Sequence, residues 1–384
     1  MTKQFHRKTR PTQWHSVPIL ILLFVVLISS CRNRVIERGP LTFSERIDSL
    51  FVTAANFSGV VLVAENGKTV YHKAFGYRNF DTLEALDTAS VFELASLSKQ
   101  FTAMAVMQLK EEGKLSYDDP IEKFIPGLPY PGITVRHLLN HTSGLPDYQG
   151  IMDQYWDKSK VAGNADNIEY LIRYKPAPFS LPGEKYQYSN TGYMLLGSIV
   201  EKASGQDFIA FFRAHIFEPL QMTSTDIRTL DEKAKLPNMA WGHLWANEKR
   251  RFMRADSFPQ FNYAIWLGNR KGPGRVSSTT SDLLKWDQAL YQNKLVAKET
   301  LAEAFTPATL LNGSPSHYGF GWELQNNSQM GHVVRHSGSN PGYKTHIIRY
   351  IDQNKTIVLM SNNAHPAFEQ VLAEIETILK KTSR

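Results

Sequence analysis

The 384-residue chain has one cysteine, Cys31, so no internal disulfide can staple its fold. Its twelve histidines include no H-E-x-x-H or comparable pair, which argues against a catalytic metal, and no cofactor is expected. Internal repeats and low-complexity blocks are also missing. Acid is missing from residues 1–31, which carry Lys3, Arg7, Lys8 and Arg10. Without that stretch 39 basic residues face 36 acidic ones, so most of the formal +7 charge is local. A nucleic-acid partner loses its main support. The apolar run Val17 to Ile28, interrupted by Pro18, falls short of the roughly 20 residues of a membrane span.

What the N-terminus does contain is a basic stretch, that apolar run, and then Ile28-Ser29-Ser30-Cys31. The run has the length of a signal-peptide core, and the last four residues resemble a bacterial lipobox. The expectation is a lipoprotein signal peptide over 1–31, a lipid on Cys31, a polar tether over 32–43, and a cell-envelope location facing the periplasm or the exterior. An uncleaved N-terminal anchor is the alternative. Arg32 is not the aspartate that retains enteric lipoproteins at the inner membrane, which points to the outer membrane if the source is Gram-negative.

The remaining composition, 42% hydrophobic and 21% charged, is that of a globular chain with a sizeable core. SERIDSLFVTAA reads as an amphipathic helix opened by Ser44 and Glu45. Asn66-Gly67 between β-branched runs predicts a tight hairpin, and Leu97 to Glu112 predicts a helix ended by Gly113. The middle of the chain reads as helices with long loops. THIIRYIDQNKTIVLMSN reads as a second strand pair, and 366–381 as a final helix. Strands at both ends and helices between them predict an α+β fold: an antiparallel β-sheet flanked by helices, from 44–95 and 275–384, with a mainly helical domain, 96–274, inserted. The site is expected at the interface.

Three short patterns carry possible chemistry. In Ser96-Leu97-Ser98-Lys99, Ser96 at a helix start sits beside free N–H groups and the positive end of the helix dipole, with Lys99 on the same face. Lysine so placed can help to deprotonate serine. Alone, the spacing is better explained by a helix cap and a solvated first-turn lysine. Tyr188-Ser189-Asn190 offers a proton-transfer group and an amide, but Tyr77-Arg78-Asn79 has the same spacing. His336-Ser337-Gly338-Ser339 reads as a polar edge strand whose Ser339 N–H completes an oxyanion hole with that of Ser96, and His317-Tyr318-Gly319 also matches. Tyr148 is a candidate cleft residue and His141 a structural hydrogen-bonder. The stretch 240–268 reads as core, with Trp241, Trp245 and Trp266 as candidates to wall a pocket.

The order of these patterns, with their surroundings, resembles the serine β-lactamase-related family. That family includes class C β-lactamases, low-molecular-weight penicillin-binding proteins, D-aminopeptidases and esterases. The resemblance covers about 44–378 and rests on VFELASLSKQFTAMAVMQLKEEGKLSYDDPIEKFIP, TVRHLLNHTSGLPDY, PGEKYQYSNTGYMLLGSIVEKASG, GRVSSTTSDLLKW, YGFGW and HSGSNPGYKTHIIRY. It implies a β-lactamase/transpeptidase-like fold and a variable loop over 145–180. It also implies an acylated nucleophile at Ser96, an activating Lys99 and a general acid/base at Tyr188. Asn190, His336, Ser337, Gly338 and Ser339 become substrate contacts. The implied activity is hydrolysis of an ester, amide or β-lactam carbonyl in a small molecule or peptide, including peptidoglycan-derived ones. The alternative is a non-catalytic lipoprotein that binds peptidoglycan or a partner in the same cleft. His336 stands where the lactamases have lysine, so β-lactamase turnover is not the expected activity.

Overall fold

The structure is a computed structural model that describes residues 1–2 and 40–381. Apart from residues 1–2, the expected signal peptide with its proposed lipid site, Cys31, and nearly all of the expected tether lie outside the described residues. The chain from Thr42 on forms one compact unit.

Its first helix, α1 (Phe43–Thr53), starts one residue before Ser44. Thr42 caps it: Thr42 Oγ1 accepts from the Glu45 N–H at 3.3 Å, and Glu45 Oε2 accepts from the Thr42 N–H at 2.8 Å. Such reciprocal capping stabilises a helix start by about 1 kcal/mol. The hairpin of β1 (Gly59–Glu65) and β2 (Lys68–Phe75) follows. Asn66 and Gly67 both take the positive φ that a two-residue primed turn requires, 51° and 73°.

Helix α2 (Lys99–Glu111) is entered through a tighter 3-10 turn, Ala95–Ser98, and ends at Gly113 in the left-handed region. Farther along, among shorter helices, lie α3 (Asn190–Ser204) and α4 (Thr280–Tyr291). The chain closes with β3 (Glu323–Asn327), β4 (Gly331–Asn340), β5 (Tyr343–Tyr350), β6 (Lys355–Ser361) and α5 (Phe368–Lys381). These strands form one antiparallel sheet in the order β3-β4-β5-β6-β1-β2, joining the two ends of the chain.

Alternation along β1 explains why both faces of that sheet are covered. Val61 and Val63 pack with Ile47 and Phe51 of α1 and Leu372 and Ile375 of α5. Val60, Leu62 and Ala64 join the larger core that contains α2 and α3. One detail positions the site. Strand β3 pairs with β4 only from Gly331 to Arg335, so His336–Asn340 has β5 on one side and an open edge on the other.

Candidate active site

The turn that carries Ser96 meets that open edge. Glu93 ends a short strand paired with Ser277, and the Leu94 N–H donates to the Val276 carbonyl at 2.9 Å. Ala95 then adopts φ 50°, a left-handed conformation that costs a non-glycine residue about 1–2 kcal/mol. This bend turns the chain sharply from strand into helix and sets Ser96, partly exposed, at the start of α2. Gly338 makes the approach possible: a Cβ there would lie 2.2 Å from the Leu94 carbonyl oxygen and 3.2 Å from the Ser96 nitrogen. Thr345, opposite Gly338 on β5, donates its hydroxyl to the same Leu94 carbonyl at 2.8 Å.

Lys99 is fully buried. Its Nζ reaches Ser96 Oγ at 3.1 Å, Asn190 Oδ1 at 2.9 Å and the Pro273 carbonyl at 2.9 Å. All three partners are neutral, and no carboxylate pairs with it among the described residues. Burial, reinforced by the charge of Arg270, holds its pKa well below the ordinary lysine value. The amine form favoured there has a lone pair for the Ser96 proton.

Tyr188 keeps 40% of its surface open, yet its hydroxyl end is enclosed and lies within hydrogen-bond reach of Ser96. Burial pushes its pKa up, with the Ser96 contact partly opposing. Lys99 Nζ lies 4.8 Å from its ring centre. The loop bearing Tyr188 is fixed from behind by His141: the Ser189 N–H donates to His141 Nδ1 at 3.1 Å, and the Gln187 N–H donates to the His141 carbonyl at 2.8 Å. Ser189 in turn caps α3, which places Asn190 in its first turn. The Asn190 contact with Lys99 separates Tyr188-x-Asn190 from its competitor. Tyr77 and Asn79 lie elsewhere, the Asn79 side chain accepting from the Asp81 N–H at 2.9 Å. Gly338 against Ser96 separates the two histidine patterns in the same way, since His317 is exposed beside Tyr186.

Two expectations need correction. His336 is not a free contact for substrate: it is 1% exposed and both ring nitrogens are occupied. Nδ1 donates to the Ser337 carbonyl at 2.6 Å, and Nε2 accepts from the Tyr318 hydroxyl at 2.7 Å. Burial pushes its pKa down to about 3, so the ring carries no charge at neutral pH. Tyr148 does not line an open cleft either. It is 1% exposed, and its hydroxyl accepts from Arg270 Nη1. Ser337 and Ser339 remain exposed along the open edge. Trp266 is buried, Trp245 stands half-exposed, and Trp241 lines a cavity with Arg254 stacked 3.7 Å from its ring centre.

Sequence reasoning missed Tyr318 and Arg270. The first lay inside the YGFGW block, but its partner is on another strand. The second belongs to no quoted pattern.

The family model described as beta-lactamase matches residues 47–379. Penicillin-binding protein 4* of Bacillus subtilis (strain 168) is 42% identical over 342 residues, covering 87% of this chain and 76% of the relative. The octameric penicillin-binding protein homologue from Pyrococcus abyssi has a TM-score of 0.75 at 28% identity, over 88% of this chain and 77% of its own. A penicillin binding protein from Bacillus halodurans has a TM-score of 0.74 at 25% identity, over 86% of this chain and 98% of its own.

Proposed function

The chain belongs to the beta-lactamase family as one of its serine hydrolases, and on that premise we propose that it works through an acyl-enzyme on Ser96. Its fold is the expected β-lactamase/transpeptidase-like α+β arrangement. The observation that carries the proposal is the Lys99 amine, buried with no carboxylate partner among the described residues and 3.1 Å from Ser96 Oγ.

In the acylation step the Ser96 oxygen attacks the substrate carbonyl carbon while its proton passes to Lys99 Nζ. The backbone N–H groups of Ser96 and Ser339 receive the developing oxyanion. A raised pKa keeps the Tyr188 phenol protonated, which suits it to hand a proton to the leaving group and to regain one from Lys99. Water then attacks the acyl-serine, and the same two groups carry its proton back to the serine oxygen. Asn190 holds Lys99 with its carbonyl oxygen, and its amide N–H groups take no partner among the described residues, which suits them to a substrate carbonyl.

The substrate class we favour is a cell-envelope peptide or small ester, supported by the penicillin-binding name of the relative above. The absence of charge on His336 supports placing efficient β-lactam turnover below ester or peptide turnover. We also propose an envelope location through a lipid on Cys31, supported by the order of basic, apolar and lipobox-like residues before it. Labelled palmitate incorporated by wild type and lost in Cys31→Ala is the expected result.

Intact-mass analysis after a fluorophosphonate or a penicillin tests the acyl-enzyme. One adduct is expected, absent in Ser96→Ala. No adduct with either reagent would favour a binding protein that uses the same cleft.

A further inference from the structure

Beside the site lies a positive charge that no carboxylate pairs with among the described residues. Arg270 donates Nη1 to Tyr148, but no carboxylate pairs with it, and its buried Nε finds no hydrogen-bond partner among the described residues. It lines a cavity with Glu93, Asn340, Arg254, Arg275 and Asp256. The charges around this cavity do not cancel. Arg254 pairs with Asp256 at 2.5 Å. Glu93 pairs with buried Lys233 and accepts from Asn340 Nδ2 at 3.2 Å. Arg275, 6% exposed, shares the field of Glu93 and donates to the Ala264 carbonyl at 3.3 Å. Three guanidinium groups therefore line the cavity against two carboxylates, one of which, Glu93, is already paired with Lys233, and a guanidinium fork is the geometry that matches a further carboxylate.

The cavity also has a direction relative to Ser96. Glu93 precedes Ser96 in the turn, and Asn340 directly follows Ser339 on β4. Tyr188, the proton donor for the leaving group, sits at the other end of the open edge, its ring 6.2 Å from that of His336. His336 and Asn340 are about 13 Å apart along an extended strand. A substrate lying along that edge leaves its departing group near Tyr188 and points its acyl part toward Arg270.

We propose that Arg270, supported by Arg275, forms an anion subsite for a carboxylate on the acyl part of the substrate. The charge that His336 does not supply enters from the opposite end of the edge. This inference rests on the serine-hydrolase reading above, and the test separates the two.

Two p-nitrophenyl esters of equal acyl length serve as probes, a glutaryl monoester with a free carboxylate and a neutral valeryl ester. Wild type should favour the glutaryl ester in kcat/KM by at least about 10-fold, as expected of charge-assisted hydrogen bonds. Arg270→Gln should cut that ratio by about 10- to 100-fold, mainly through KM, and Arg270→Lys should restore part of it. A wild-type enzyme without preference overturns the subsite whether or not the variants fold. Equal loss toward both esters in Arg270→Gln overturns it too. Ester turnover that is absent, or that survives in Ser96→Ala, defeats the serine reading and the subsite with it. Ser96-dependent turnover with a flat ratio defeats the subsite alone.

Discussion

Lys99 and Lys233 are both fully buried, yet they sit in opposite electrical surroundings. Lys233 lies against the Glu93 carboxylate, which offsets much of the desolvation, and its pKa falls only to about 8. Lys99 faces a hydroxyl, an amide oxygen and a peptide carbonyl, and the charge it feels, that of Arg270, is positive. Equal burial therefore gives two products. A lysine with an acid becomes half of a structural ion pair, whereas a lysine without one is driven toward the neutral amine. Burial alone does not make a base; burial without a counter-ion does.

The largest effect should come from removing the lysine without a carboxylate, Lys99. Lys99→Met should lower kcat/KM for an activated ester by about 10²–10⁴-fold, the usual contribution of a general base. It should also change the pH dependence of stability, read as urea midpoints between pH 7 and 10. Below the ordinary lysine value and above the depressed folded one, the unfolded chain holds the extra proton. Wild-type stability therefore rises with pH through that window. The variant should show a shallower rise, since Lys233, depressed to about 8, keeps its own contribution.

Removing the acid from Lys233 should turn a pair into a liability. Glu93→Gln leaves Lys233 buried without its carboxylate, and a loss of about 3–5 kcal/mol in unfolding free energy is expected. A loss below about 1 kcal/mol would mean that the pair contributes little to the fold.

The smallest effect should come from making the two lysines alike. Asn190→Asp places a carboxylate on Lys99, which should raise the lysine pKa by about 1–3 units. The acid limb of the kcat/KM profile should move to higher pH by the same amount. An unmoved limb would show that Lys99 does not set it.

The sequence made the scaffold legible wherever one segment contained both partners of an interaction. Asn66-Gly67 forms its own turn, Gly113 ends its own helix, and Lys99 lies on the face of Ser96 because both share one helical start. The burial of His336 was not legible, because it depends on Tyr318 from another segment. Nor was that of Tyr148, which meets Arg270 across the fold. The open edge of β4 was half legible: polar residues suggested an edge strand, but only the pairing with β3 shows that the edge begins after Arg335. Arg270 gave no signal because an unpaired arginine is recognised only by the acids absent from its surroundings.

The central claim is the neutral amine, and it can be read without turnover. In protein carrying ¹³C-labelled lysine, the Lys99 Cε resonance, assigned by its loss in Lys99→Met, should titrate well below the ordinary lysine pKa of about 10.4. A Lys99 resonance that titrates at or above that value would contradict the account.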